Sequence, residues 1–278
     1  MTSLPMSLTR EDYLSLKLAH THLETPSFAV RLSNVIGTPI EMGLKLMPRG
    51  IYQSLQRAAE KGVWRALNAA TSGLQHKRGP ARDVRYKIAG IAGGAVGGFF
   101  GGPAILLELP LTSLVMLRAI ADIARAEGEQ LDSLETRMAC LEVFALGGRS
   151  ADDDAADLGY YGLRLALEAP IAGATRYIAQ NGVVSRAGSP LLVDLIATVS
   201  RRFCATVSER AAAKIIPVIG SVGGAFINHV FIQHFQDMAR GHFTIRRLER
   251  KYGPRLIRSQ YDRLSKANAP VLAYPLAA

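Results

Sequence analysis

Two cysteines, Cys140 and Cys204, are too few for a disulfide framework in a chain of 278 residues. Both stand in apolar helical patterns, RMACLEVFAL and RRFCATVS, which predicts buried, inert thiols. No run alternates polar and apolar residues for long enough to predict a strand. The expected fold class is therefore all-α, a single multi-helix bundle. The opening MTSLPMSLTREDYLSLKLAH has no basic region followed by an uninterrupted apolar one, so no signal peptide is expected. Signature motifs are missing too. There is no strand followed by Gly-Lys-Ser/Thr to cradle phosphates, no HExxH or CxxC to hold a metal, and no GxSxG elbow. His229 and His234 are five apart, about 140° around a helix, so they do not share a face. No cofactor and no metal are expected, and the reading leans away from catalysis.

What is present is apolar mass, positive charge and glycine. The chain is 49% hydrophobic with a mean hydropathy of +0.13, which excludes a disordered polymer. Its net charge of +10 favours anionic partners: lipid headgroups, nucleic acid or an acidic protein face. Thr9 is a candidate N-cap for the first helix and Asp132 or Ser133 for a later one. A long helix is expected from Gly50 to about Leu74, and Pro190 opens another at its first position.

The stretch AGIAGGAVGGFFGGP, Ala89–Pro103, holds seven glycines and no charge, amide or hydroxyl. Turn-forming loops carry Asn, Asp or Ser, and this one has none. On a helical wheel its glycines clear roughly half the circumference, while Ala92, Val96, Phe99 and Phe100 gather opposite. Seven interior glycines cost roughly 6–7 kcal/mol against alanine. Such a helix persists only with a neighbour packed close on the bare face, as small-xxx-small faces do in lipid. Gly90, Gly94, Gly98 and Gly102 define that face. Ile215–Ile232 repeats the theme with Gly220 and Gly224, and the two segments are expected to pack as a pair. Before Pro103 the helix covers only about 22 Å, short of the roughly 30 Å hydrocarbon core. A re-entrant hairpin or a shallow pair on one leaflet fits that length better than a span. Lys77, Arg78, Arg82, Arg85 and Lys87 precede the first segment; Arg201, Arg202, Arg210 and Lys214 precede the second. Positive flanks beside apolar helices suit a cytoplasmic leaflet.

At these residues the chain resembles the EcsC family of bacterial proteins. The likeness runs from about residue 20 to 245: IGTPIEMGLKLMP, the glycine stretch, LELPLTSLVMLRAIADIARAEGEQLDSLETRMACLEVFALGG, YYGLRLAL and KIIPVIGSVGGAFIN. It divides the chain into an extension (1–19), the family domain (20–245) and basic C-terminal helices with a tail (246–278). The resemblance implies an accessory protein on the cytoplasmic side of the inner membrane, beside an ABC transporter or other secretion machinery, with no assigned reaction. Where the family pattern implies an aspartate after the glycine stretch, this chain has Glu108.

Candidate functional residues follow from both readings. Tyr160, Tyr161 and Arg164 fall in a family motif, and Tyr160 and Arg164 share a helical face where a guanidinium packs on a ring. Glu108 and His229 are ionisable groups in apolar surroundings, and Asn228 lies on the second glycine face. Asp152, Asp153, Asp154 and Asp157 read as helix-capping carboxylates. Arg240–Lys266 carries nine basic residues against two acids and reads as a solvated or lipid-facing surface, with nucleic acid the weaker reading. The expected partners are anionic lipid and a membrane protein, with oligomerisation open. Two rivals are a helical, hydrolase-like enzyme with a pocket near Glu108, Tyr161, Arg164 and His229, and a module taking a hydrophobic ligand between the glycine faces.

Overall fold

The computed structural model describes residues 8–24, 28–37, 39–71, 102–148, 159–181, 190–215 and 221–268. Among them every regular element is helical. The order is α1 (Arg10–Leu23), α2 (Phe28–Ile36), α3 (Ile40–Leu46), α4 (Arg49–Thr71), α5 (Gly102–Ala126) and α6 (Leu134–Leu146). It continues with α7 (Tyr160–Asn181), α8 (Pro190–Ile215), α9 (Ser221–Tyr252) and α10 (Pro254–Asn268).

Local chemistry sets several of these ends. The Thr9 hydroxyl accepts the Asp12 amide at α1, and the Ser133 hydroxyl accepts the Thr136 amide at α6, each satisfying a donor the first turn leaves open. Gly253, at φ 86°, stops α9 in the left-handed conformation, and Pro254 at once starts α10.

The bundle is built around α9. At 32 residues it is about 48 Å long, and from Ile227 to Leu248 nearly every side chain is buried, so other helices surround it on all sides. The centre is aromatic. Phe28 of α2, Phe144 of α6, Phe203 of α8 and Phe231 and Phe235 of α9 meet edge to face, with centroids 5.1–5.6 Å apart. The last carbonyl of α6, on Gly147, accepts Thr206 Oγ1 at 3.0 Å and His234 Nε2 at 2.8 Å, tying α6 to α8 and α9.

Isolated glycines supply the close approaches. A Cβ on Gly43 would land on the carbonyl of Ala212, and one on Gly148 on the carbonyl of Arg202. Both cysteines are buried, and burial pushes the Cys140 thiol up to about 12, so it stays a thiol.

One expectation lies outside the described residues and two others change. The paired glycine faces fall mostly outside the described residues: Gly90, Gly94, Gly98 and Gly220 do so, Gly102 is the first residue of α5, and Gly224 lies in the first turns of α9. The segment after Ile232 continues in one helix to Tyr252, because no glycine or proline interrupts it strongly enough before Gly253. The basic C-terminal stretch is also less free than expected. Arg247 pairs with Glu127 at 2.7 Å and Lys251 with Asp12 at 2.7 Å, while Arg246 and Arg250 both pair with Glu129. Four of its cations therefore anchor α9 to α1 and to the turn after α5. Among the described residues no helix is long and apolar enough to cross a membrane.

Candidate functional site

Ionisable residues recur at helical spacing on three of these helices. Glu135 and Glu142 are two turns apart on α6. Tyr161, Arg164 and Glu168 follow one stripe of α7, and His242, Arg246 and Glu249 follow one stripe of α9. The three stripes converge, and α10 closes the fourth side with Pro254, Arg255 and Arg258. They enclose a cleft of about 720 Å³, whose remaining wall is Leu165, Ile171, Ala172, Thr175 and Arg176. Five arginines and four glutamates thus share one cleft (Arg164, Arg176, Arg246, Arg255, Arg258; Glu135, Glu142, Glu168, Glu249).

One wall is locked by ion pairing. Arg164 Nη1 donates to both oxygens of Glu249, at 2.9 and 2.8 Å, and Tyr161 Oη donates to the same carboxylate at 3.0 Å. Burial and the Glu249 charge raise the Tyr161 phenol well above its ordinary value, so it remains a donor. The Arg258 guanidinium lies 5.4 Å over the Tyr161 ring. Arg246 is held from below by Glu129 and from the side by Glu135, at 2.8 and 2.9 Å. Burial lifts Glu129, but the hydrogen bonds and charges of Arg246 and Arg250 outweigh it and leave that carboxyl below its ordinary value.

The floor is different. Glu142 is buried, lines the cleft, and receives no hydrogen bond among the described residues. Burial is the main force on it, pushing its carboxyl up to about 7; the charges of Arg164 and Arg246 oppose that rise, and those of Glu249 and Glu168 add to it. Behind it, His242 Nε2 lies 3.8 Å from Glu142 Oε2, too far for a hydrogen bond. His242 Nδ1 is 2.9 Å from the Tyr160 hydroxyl. Burial, with the positive charges of Arg164 and Arg246, holds His242 well below its ordinary value and therefore neutral. The neutral ring thus turns one nitrogen to the Tyr160 hydroxyl and the other toward Glu142. Glu24, at the end of α1, fixes this corner: one oxygen accepts the Tyr160 amide at 3.1 Å and the Tyr261 hydroxyl at 2.7 Å, a carboxylate at the positive end of α7.

Of the residues expected from the sequence, Tyr160, Tyr161 and Arg164 do come together here. Arg164 reaches Glu249 rather than the Tyr160 ring, because a buried guanidinium gains more from a carboxylate than from a neighbouring ring face. The cation on a ring is Arg258 on Tyr161. His229 does not join the cleft: it lies twenty residues before Glu249 on α9, about 30 Å along the axis. Asn228 is buried in the core beside it. Glu108 sits on α5, its side chain outside the described residues, as are Asp152, Asp153, Asp154 and Asp157. Four contributors were not anticipated: Glu142, His242, Arg246 and Glu249. Among the described residues no group of His, Cys, Asp and Glu side chains is placed to hold a metal ion.

No curated protein and no solved structure matches the chain. A family model described as the EcsC protein family matches residues 31–248, which contain α3 to α8 entire and all but the last turn of α9, and the chain belongs to that family.

Proposed function

We propose that this protein works at the cytoplasmic face of the inner membrane as an accessory to a membrane-embedded partner, and that its cleft takes an anionic, partly apolar ligand of the headgroup type. The observation that carries the reading is the rim of the cleft. Arg176, Arg255 and Arg258 are exposed there beside Leu165, which is 63% exposed. Cations around a protruding leucine match a surface of anionic headgroups over an apolar layer. The net charge of +10 and the basic run before the first glycine-bearing segment support the same setting, whereas Arg210, before the second, is fully buried against the Phe231 ring and not available to headgroups.

Fractionation of cells expressing the chain tests this. The protein is expected in the membrane pellet and is released by high salt, since screening weakens headgroup contacts. Release only by detergent would transfer the weight to insertion of the glycine-bearing segments. Complete recovery in the supernatant without salt or detergent would end the proposal.

A helical acid–base enzyme is the second reading, favoured by one observation: a buried carboxyl with no hydrogen-bond partner among the described residues lines a ligand-sized cleft. For that reading Glu142→Gln abolishes turnover of any substrate found, while Arg164→Lys weakens its binding.

A further inference from the structure

The cleft narrows from an exposed rim to a buried floor, and its floor is chemically unusual. Arg258 at the mouth is exposed, the Arg164 side chain is 25% exposed, that of Arg246 15%, and that of Glu142 8%. A ligand entering from the rim thus meets Glu142 with its terminal group, and any chain it carries must leave by the mouth.

The floor donors are not spent. Both bonds from Arg164 to Glu249 come from Nη1, leaving Nε and Nη2. Arg246 uses Nε and Nη2 on Glu129 and Glu135, leaving Nη1. Glu142 receives no hydrogen bond among the described residues, and His242 Nε2, fully buried, has no hydrogen-bond partner either. A buried carboxyl that lines the cleft without a protein hydrogen bond can meet a ligand there. These groups come from three different helices, Glu142 from α6, Arg164 from α7 and Arg246 from α9. A carboxylate offers two oxygens in a plane; a tetrahedral terminal oxyanion offers three that diverge.

We infer that the floor of the cleft is a phosphomonoester site, with Arg164 and Arg246 each taking one terminal oxygen and Glu142 donating a hydrogen bond to the third. This rests on the anionic-ligand reading above and names its chemistry. A phosphodiester is a poorer fit, because it has two free oxygens and two arms to accommodate at a closed end.

Glu142 donates only while it holds its proton. The charges facing it are Arg164 and Glu168 from α7, and Arg246 and Glu249 from α9, with neutral His242 and the Tyr160 and Tyr161 phenols beside them. Arg176 of α7, Arg255 and Arg258 of α10 and Glu135 of its own helix line the same cleft. On the far side of α6, α8 contributes Phe203 against Phe144. A phosphomonoester ionises a second time near pH 6, so ligand and carboxyl titrate in the same range and share one proton. Above about pH 8 an ionised Glu142 repels the dianion.

Calorimetric titration of the full chain with glycerol 3-phosphate tests the inference. Affinity is expected to fall about ten-fold between pH 6.5 and pH 8.5 in the wild type, and by less than about three-fold in Glu142→Gln, which keeps a donor but cannot ionise. The methyl diester of the same ligand is expected to bind about ten-fold more weakly. Arg258→Ala, at the exposed rim, weakens binding at both pH values without threatening the fold. Equal affinity for monoester and diester, or parallel pH profiles in wild type and Glu142→Gln, would overturn the site. Vesicles containing phosphatidic acid separate the two sources of the group. Capture that glycerol 3-phosphate competes away marks a lipid headgroup, whereas soluble binding without capture marks a free metabolite. Retention on phosphatidylglycerol vesicles with no binding of glycerol 3-phosphate would reject this inference and leave the broader reading standing.

Discussion

Arg164 meets Glu249 through a single nitrogen that donates to both carboxylate oxygens, at 2.9 and 2.8 Å, across 85 residues of sequence. The carboxylate side chain is 11% exposed and the guanidinium 25%, so neither is fully dry. Truncating either partner strands a mostly buried charge, and truncating Glu249 also removes the acceptor of Tyr161. Arg164→Ala is expected to cost about 2 kcal/mol, below the 3–5 kcal/mol of a fully buried pair because water still reaches the arginine. Denaturant unfolding measures this, and a double-mutant cycle with Glu249→Ala should show coupling of about 1 kcal/mol or more.

Glu142 works against stability at neutral pH. Its carboxyl ionises near pH 7 when folded and near 4.5 when exposed, so between those values the folded state holds the extra proton. Stability therefore falls as pH rises through this window and stays at the lower level above it. Glu142→Gln removes the effect. The variant should match the wild type below about pH 4.5 and exceed it by about 3 kcal/mol at most above pH 7. Chemical unfolding at a series of pH values checks the sign; a variant less stable than wild type at pH 8 would contradict it.

Asp12 has the opposite dependence. Hydrogen bonds from Lys251, Tyr252 and Thr9, with the Lys251 charge, hold its carboxyl well below the usual carboxylate range although burial acts against them. Its contribution is complete above the unfolded value near 3.8 and is lost as pH falls below that. Thermal unfolding of the wild type should show a melting temperature that drops below about pH 4. In Asp12→Asn that drop should shrink, with the melting temperature already lower at pH 7.

The thermal cost of adding a methyl group should separate the two kinds of glycine. Gly148→Ala would press a Cβ onto the Arg202 carbonyl, a backbone atom of α8 that moves only with its helix, and should cost about 1–3 kcal/mol. Gly50→Ala, with open space around the added carbon, should be neutral or stabilise slightly. Equal melting temperatures for the two variants would contradict the close packing of α6 on α8.

What the sequence made legible was local. The Thr9 and Ser133 caps, the helical periodicity and the buried cysteines depend on neighbours a few residues away, and all are present. Tyr161 and Arg164 were visible as a motif, but not their partner, because Glu249 is most of a helix bundle away in sequence. Glu142 left a trace that went unread: it is the one charged residue in MACLEVFAL, and an acid inside a buried run must reach a cavity or a counter-charge. The His242, Arg246, Glu249 spacing was a second trace, hidden among nine basic residues that suggested a solvated surface. Close approach depends on which backbone lies opposite, so isolated Gly43 and Gly148 make contacts that no local pattern announces.

Vesicle flotation tests the central claim most directly, comparing the wild type with a chain carrying Arg255→Glu and Arg258→Glu. Wild type should float with vesicles of phosphatidylcholine containing phosphatidylglycerol, and stay at the bottom with phosphatidylcholine alone. The doubly reversed chain, still folded by its circular dichroism, should stay at the bottom with both. Equal flotation of the two proteins on the anionic vesicles would contradict the account.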